Sequence, residues 1–298
     1  MRVSTSQRFN NATNQINVAE LAFVEAQTQV STGKRINVPS DDPMGTSVLL
    51  SAQTIQGNVQ QYQSNLDSAN NYLKSSESAV GEMTTLLQQA NQLALSGANS
   101  STDQNARNEK ANQISQIQQR MVDLANSQGE SGQYVFAGQL STTKPFTVNA
   151  GVLTYSGDAN NVIVQTGPSQ TMNVNTNLNP FMQQTFAALS QLQSDLQGGS
   201  VSNISGVDVA AMQTAITSSA SIQGDIGARM QSVQDLQADN TTRLNTLATQ
   251  ISNVQDVDIA QAITKYSSAQ TAYQAALAVG AQSFNLSLLN FMGTSTPA

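Results

Sequence analysis

Apolar or small residues recur at Ile55, Val59, Tyr62, Leu66, Ala69, Leu73, Ser76, Val80, Met83, Leu87, Ala90 and Ala94, in alternating steps of three and four. That alternation is the heptad spacing of a helix with one narrow apolar seam, held here for about six heptads without a break. At about 1.5 Å per residue over roughly forty positions, the helix is a rod of about 60 Å. So long a helix with so thin a stripe buries nothing by itself. The chain must therefore supply other long helices, or other copies of itself, to lie along the seam.

The sequence offers partners on the far side of two breaks. SGANSST at 96–102 interrupts the pattern, Thr102 or Asp103 can cap a new helix, and Ile114, Ile117, Met121 and Leu124 carry the seam back. Residues 46–128 therefore read as an antiparallel helical pair. From Asn179, Phe186, Leu189, Leu192 and Leu196 mark a shorter helix, and LQGGSVSNISG reads as a linker by its Gly and Ser content. Met212, Ile216, Ile226, Met230, Val233, Leu244, Leu247, Ile251 and Val254 then fall on one heptad frame. Polar residues at Ser219, Gln223, Gln237 and Asn240 weaken it. This segment is expected beside the first rod, so that 41–131 and 179–255 form one rod domain.

Between these helices the composition changes character. QYVFAG, KPFTV, GVLTYSGD, NVIVQTGP and TMNVN are short strings, β-branched or aromatic, punctuated by Gly, Asn, Asp and Pro. Such punctuation marks strands, so 132–178 is expected to be a small β-rich outer domain. A hairpin of Val152–Tyr155 with Val162–Gln165, closed by SGDANN, is its expected centre.

The two ends carry seams of their own. Phe9, Ala12, Ile16, Ala19, Phe23, Ala26 and Val30 set a first helix. It runs into STGKRINVPSDDP, where Gly33 suits a C-terminal cap, Lys34 and Arg35 suit the negative end of the helix dipole, and Pro39 forbids continuation. Ser40 or an aspartate can then cap a new helix, with Asp42 and Pro43 in its first turn. After DVDIA, where Asp256 or Asp258 can cap, Ile259, Ile263, Tyr266, Tyr273, Leu277, Gly280, Phe284, Leu288 and Phe291 form the last seam. The terminal helices, 1–40 and 256–298, thus present apolar stripes that need a partner, either each other or further copies of the chain. The expected fold is mainly α: a long antiparallel helical rod or coiled coil, with paired terminal helices and a small central β-rich insertion domain.

STGKRINVPSDDP also invites chemical readings, and context removes them. Ser31 to Lys34 is formally S-x-x-K, but the serine follows the last turn of a helix instead of opening one, and no K-T-G string is present. Asp41 and Asp42 lack the further acidic residues that would complete an oxygen cage for a hard cation. The chain has no Cys and no His, which removes thiolate and imidazole chemistry and most zinc sites. No catalytic, cofactor-binding or metal residue is therefore assigned, no cofactor is expected, and the chain is not expected to be an enzyme.

Charged residues are 10% of the chain, with a net charge of −7 and a pI near 4.4. A basic stripe for phosphate is missing, so nucleic acid is not an expected partner. Nor does any apolar run approach the roughly 20 residues of a membrane span. The start MRVSTSQRFN lacks the apolar region of a secretory signal. Any export is expected to follow another route.

MRVSTSQRFN, STGKRINVPSDDPMG, YVFAG followed by KPF, and DVDIAQAITKYSSAQTAYQAALAVGAQSFNLSLLNF together resemble the bacterial flagellin superfamily. Within it they are similar to the hook-associated family that joins hook to filament. The resemblance implies a structural subunit of the extracellular flagellum, exported unfolded through the flagellar type III apparatus without a cleaved signal peptide. It implies that the terminal helices assemble through Phe9, Ile16, Phe23, Val30 and the last seam, with Gly33, Pro39, Asp41, Asp42 and Pro43 as the turn between terminal helix and rod. The implied partners are other copies of the chain in a ring, the neighbouring hook-associated protein, flagellin, and an export chaperone at the C-terminal region.

Overall fold

The computed structural model describes residues 2–292 except 100, 130 and 131, with side chains described for 7–282. It separates into two compact units, one of residues 59–242 and one of residues 1–58 with 243–298. The divisions fall inside two long helices, α2 (Pro43–Gly97) and α6 (Val209–Gln255).

The central unit holds the hydrophobic core. α2 buries the seam read from the sequence from Val59 to Ala94, with Tyr62 half-buried, while Ile55 is exposed. Ser76, the polar member of the seam, is buried and satisfies its hydroxyl on the carbonyl of Tyr72 one turn back. α6 runs antiparallel to α2: Gln237 Nε2 donates to Asp67 Oδ1 at 2.7 Å, and Ser219 Oγ meets Thr84 Oγ1 at 2.7 Å. Ser219, Gln223 and Gln237 are thus answered by polar residues of α2 at the same level, which costs little because both partners are bonded, whereas Asn240 Nδ2 is buried without a hydrogen bond.

α3 (Gln104–Ala125) returns from α2, capped by Asp103, whose carboxylate accepts from the amide of Ala106 at 2.7 Å. It packs against α4 (Asn179–Gly198), which buries Phe181, Met182, Leu189, Leu192 and Leu196 in the shared core. The segment read as a linker is helical. Gly199, left-handed at φ 71°, ends α4. α5 (Val201–Asn203) and a π-helical turn (Ile204–Asp208) then lead directly into α6. Ile204 is fully buried, and that burial outweighs the loop-forming Gly and Ser around it.

The centre of the sequence forms two separate antiparallel hairpins, β1 (Phe146–Asn149) with β2 (Val152–Tyr155) and β3 (Ile163–Gln165) with β4 (Thr171–Asn173). The expected pairing of Val152–Tyr155 with Val162–Gln165 is therefore incorrect, although both strands exist. Ala150 and Gly151 both have positive φ, 50° and 80°, and close β1 onto β2 as a two-residue turn. Such a turn matches strand twist and captures β2 before any later strand. QYVFAG is not a strand: Val135, Phe136 and Ala137 are buried in irregular chain. Asn126 pins the first hairpin to α3 by bonding both the amide and the carbonyl of Phe146, at 2.9 and 2.8 Å. Arg229 of α6 holds the second through the carbonyl of Asn175 at 2.8 Å.

The other unit contains α1 (Arg2–Thr32) and α7 (Ile259–Met292), packed against each other along much of their length. Asp258 caps α7, its carboxylate accepting from the amides of Ala260 and Gln261 at 2.9 and 3.2 Å.

Candidate assembly interface and its clasp

α1 and α7 run antiparallel, joined at one end by the segments that follow α1 and precede α7. On α1, Phe23, Val30 and Ile16 are half-buried and Ala26 and Gln29 are buried, whereas Phe9 is exposed. Phe23 fits between two tyrosines of α7, its ring 5.4 Å from Tyr266 and 5.8 Å from Tyr273, the latter stacked at 6°. Beside them Lys265 Nζ lies 2.9 Å from Glu25 Oε1, an exposed pair that contributes little.

The face of α7 turned to α1 differs from the seam expected of it. Tyr266, Tyr273 and Gly280 belong to it, but its other members are small: Ala262 is buried and Ala269 and Ala276 half-buried. Ile259, Ile263 and Leu277 are 48, 50 and 43% exposed and stand on the flank of the helix. Small side chains let two helices approach closely, so the alanines and the glycine take the contact and the larger aliphatics are displaced outward. Val18, Leu21 and Val24 of α1 are likewise exposed. Phe284, Leu288 and Phe291 lie outside the residues whose side chains are described.

The turn in STGKRINVPSDDP closes this pair at its base. Gly33, at φ 68°, ends α1 and donates its amide to the carbonyl of Gln29 at 3.0 Å. The chain then runs against the segment between α6 and α7. Arg35 N donates to Gln255 O at 2.6 Å, Val257 N to Gly33 O at 3.0 Å, and the Arg35 guanidinium reaches Val254 O at 2.8 Å. The other arm of that guanidinium contacts Asp42 Oδ2 at 3.0 Å. Asp42 is the N-cap of α2, its Oδ1 accepting from the Gly45 amide at 2.8 Å, with Pro43 at the first helical position. Asp41 ties the preceding loop by accepting from the amides of Asn37 and Val38 at 2.9 and 3.0 Å. Pro39 lies in the turn that Asp41 closes by donating its amide to Val38 O at 3.0 Å.

Two residues of the clasp were not singled out from the sequence. Ile36 is buried beneath the turn, and Gly45 has no room for a side chain: a Cβ there would lie 2.5 Å from Asp42 Oδ2 and 2.7 Å from Ile36 Cδ1. The apolar member of an otherwise polar string and the glycine after Pro-Met were the available signals.

Electrostatics strengthen the turn. Hydrogen bonds from the backbone of Val38 and Asn37 hold the Asp41 carboxyl below its ordinary range, and the Gly45 amide, then the Arg35 side chain, do the same for Asp42. A carboxyl depressed on folding stabilises the fold above its ordinary range, and that contribution is lost as pH falls through the depressed value. The clasp should therefore loosen only in strong acid.

The arrangement gives a structural role to the glycine and none to Lys34, whose side chain makes no hydrogen bond or ion pair among the described residues. Gly33→Val should cost about 1 kcal/mol or more, since only the left-handed backbone is at stake and the nearest side-chain atom to a new Cβ is 4.0 Å away. Lys34→Gln should be nearly silent. Thermal unfolding of the two variants checks the order, and a larger loss from the lysine change would contradict it.

Comparison with known proteins places these features. Residues 3–141 match the bacterial flagellin N-terminal helical region, and residues 209–292 match the bacterial flagellin C-terminal helical region. Flagellar hook-associated protein 3 of Escherichia coli K12 is 24% identical over 301 residues, covering 92% of this chain and 94% of that one. The protein of the same name from Salmonella typhimurium LT2 matches to the same extent. In fold, the chain is similar to FlgL of Bacillus cereus, with a TM-score of 0.60 and 21% identity over 68% of this chain and 99% of that one. The flagellar junction protein FlgL of Legionella pneumophila also has a TM-score of 0.60, at 13% identity over 70% of this chain and 100% of that one. Carrying the flagellin N-terminal region through α1, α2 and α3 and the C-terminal region through α6 and α7, the chain belongs to the bacterial flagellin superfamily.

Proposed function

We propose that this chain is a structural subunit of the bacterial flagellum that joins hook to filament. The observation that carries the reading is a likeness to hook-associated protein 3 that runs along nearly the whole of both chains. The antiparallel pair α1–α7 supports it physically, because its exposed Ile259, Ile263, Leu277, Val18, Leu21 and Val24 leave apolar area that a neighbouring subunit can bury. In this reading the terminal helices form the assembly surface, including Phe284, Leu288 and Phe291. The remaining parts are the rod domain of 41–131 and 179–255 and the small β-rich domain of 132–178. The partners are further copies of the chain, the hook-associated protein on the hook side, flagellin on the filament side, and an export chaperone at the C-terminal region. The protein acts outside the cell and leaves it through the flagellar export apparatus without a cleaved signal peptide.

The matched regions take their description from flagellin, so a filament subunit is the second reading. Cells lacking the protein separate the two. A junction subunit predicts hooks without filaments and flagellin shed into the medium. A filament subunit predicts bare hooks with no flagellin outside, and normal filaments would overturn both.

A further inference from the structure

Where α4 gives way to α6 the core contains two carboxyls. Asp195 of α4 is 7% exposed and Asp208, the last residue of the π-helical turn, is 1% exposed. The π-helical turn that carries Asp208 packs against α4, which carries Asp195, and the charge of Asp195 acts on the Asp208 carboxyl. Two anions in so dry a place repel strongly, and neither can be left unpaired without a large desolvation cost.

Their surroundings distinguish them. Asp195 has both oxygens occupied by amide donors, Oδ2 by Gln191 Nε2 at 2.9 Å and Oδ1 by Asn203 Nδ2 at 3.2 Å. Its backbone carbonyl also accepts from Ser200 N at 3.0 Å, which closes the end of α4. Asp208 Oδ2 is buried with no partner. Among the described residues Asp195 is the charged group that acts on Asp208, and the side chains on Asp195 from α4 and α5 are neutral amides. α3 approaches this end of α4 with another amide, Gln104 Nε2, spent on the carbonyls of Leu196 and Gln197 at 3.0 and 2.8 Å.

We propose that Asp195 and Asp208 share one proton, carried by Asp208 and donated to Asp195, and that its loss loosens the π-helical turn between α4 and α6. A proton accounts for the site better than a metal ion does, because the amide N–H donors already on both oxygens of Asp195 would face a cation with like partial charge, whereas the carboxylate keeps lone pairs for one more donor. Burial first, and the charge of Asp195 second, push the Asp208 carboxyl up to about 6. A carboxyl raised on folding stabilises the fold below its ordinary range, and that contribution is lost as pH rises through the raised value. The corner is therefore tightest in mild acid, and proton loss from Asp208 is half complete near pH 6.

The test is urea unfolding of the full chain between pH 4 and 7.5, comparing the native protein with Asp208→Asn, which keeps the shape and needs no proton. The ratio of native to variant folding constants should fall roughly tenfold to hundredfold as pH rises from 4 to 6.5, then level off. A ratio independent of pH would overturn the proposal. Carbon NMR of the Asp208 carboxyl in the native chain provides a second reading, and titration in the ordinary aspartate range would equally overturn it. Calcium or magnesium at pH 7.5 should leave the native chain unchanged. Stabilisation of the native chain but not the variant by either ion would mean that the site holds a cation instead.

Discussion

Gly45→Ala should destabilise the terminal unit by about 2–4 kcal/mol, while Gly57→Ala, twelve residues further along the same helix, should stabilise the protein by about 0.5–1 kcal/mol. Both glycines are in α2, so helix propensity favours alanine at each. At Gly57 nothing lies within 4 Å of a new Cβ, and the propensity gain is realised. At Gly45 the new methyl meets the Asp42 carboxylate at 2.5 Å and Ile36 Cδ1 at 2.7 Å. It must expel the N-cap from its bond to the Gly45 amide or lift Ile36 from its pocket. Losing the cap costs about 1–2 kcal/mol and overpacking a further 1–3. The Arg35 contact with Asp42 moves with it, and with that the bonds from Arg35 to Gln255 and Val254. Denaturant unfolding followed by circular dichroism distinguishes the two variants. Equal effects, or stabilisation by both, would mean that the clasp does not hold the base of the terminal pair.

That clasp also marks the limit of reading from sequence. Gly33 as a helix end, Pro39 and Asp41 as the turn, Asp42 as cap and Pro43 in the first turn are local events, decided by backbone conformation and dipole within a few residues. The bonds of Arg35 to Val254 and Gln255 and of Gly33 to Val257 join positions more than two hundred residues apart, and no local pattern encodes them. The long seam of α2 was legible for the opposite reason. A helix that buries one stripe along its length repeats the same constraint every heptad, so Leu66, Leu73, Val80 and Leu87 speak together.

On α7 the same logic does not tell which partner each residue faces. Periodicity gives weight to large residues, so Ile259 and Ile263 were placed in the seam, yet the contact with α1 is made by Ala262 and its small neighbours. In a helix pair that packs closely, the residues with least to say in a hydropathy pattern occupy the interface. The strands failed differently: their positions were visible in β-branched runs, but their pairing was set by Ala150, a residue with no turn preference held at positive φ beside Gly151.

In the proposed function the terminal helices, and the end of α7 above all, form an assembly surface and not a support for the central fold. Phe284, Leu288, Leu289 and Phe291 cluster within about two turns, and burying each contributes about 1.5–3 kcal/mol when a partner covers it. Among the described residues, the core of the central unit draws on side chains between Leu66 and Val233. Deleting residues 282–298 should therefore leave the unfolding of residues 59–242 unchanged while abolishing assembly. Because such a deletion could also block export, the measurement uses purified protein added outside the cell to hooks that lack filaments. The full chain should cap these hooks and seed growth from added flagellin, and the truncated chain should do neither. Truncated protein that still caps hooks and seeds filaments would contradict the claim.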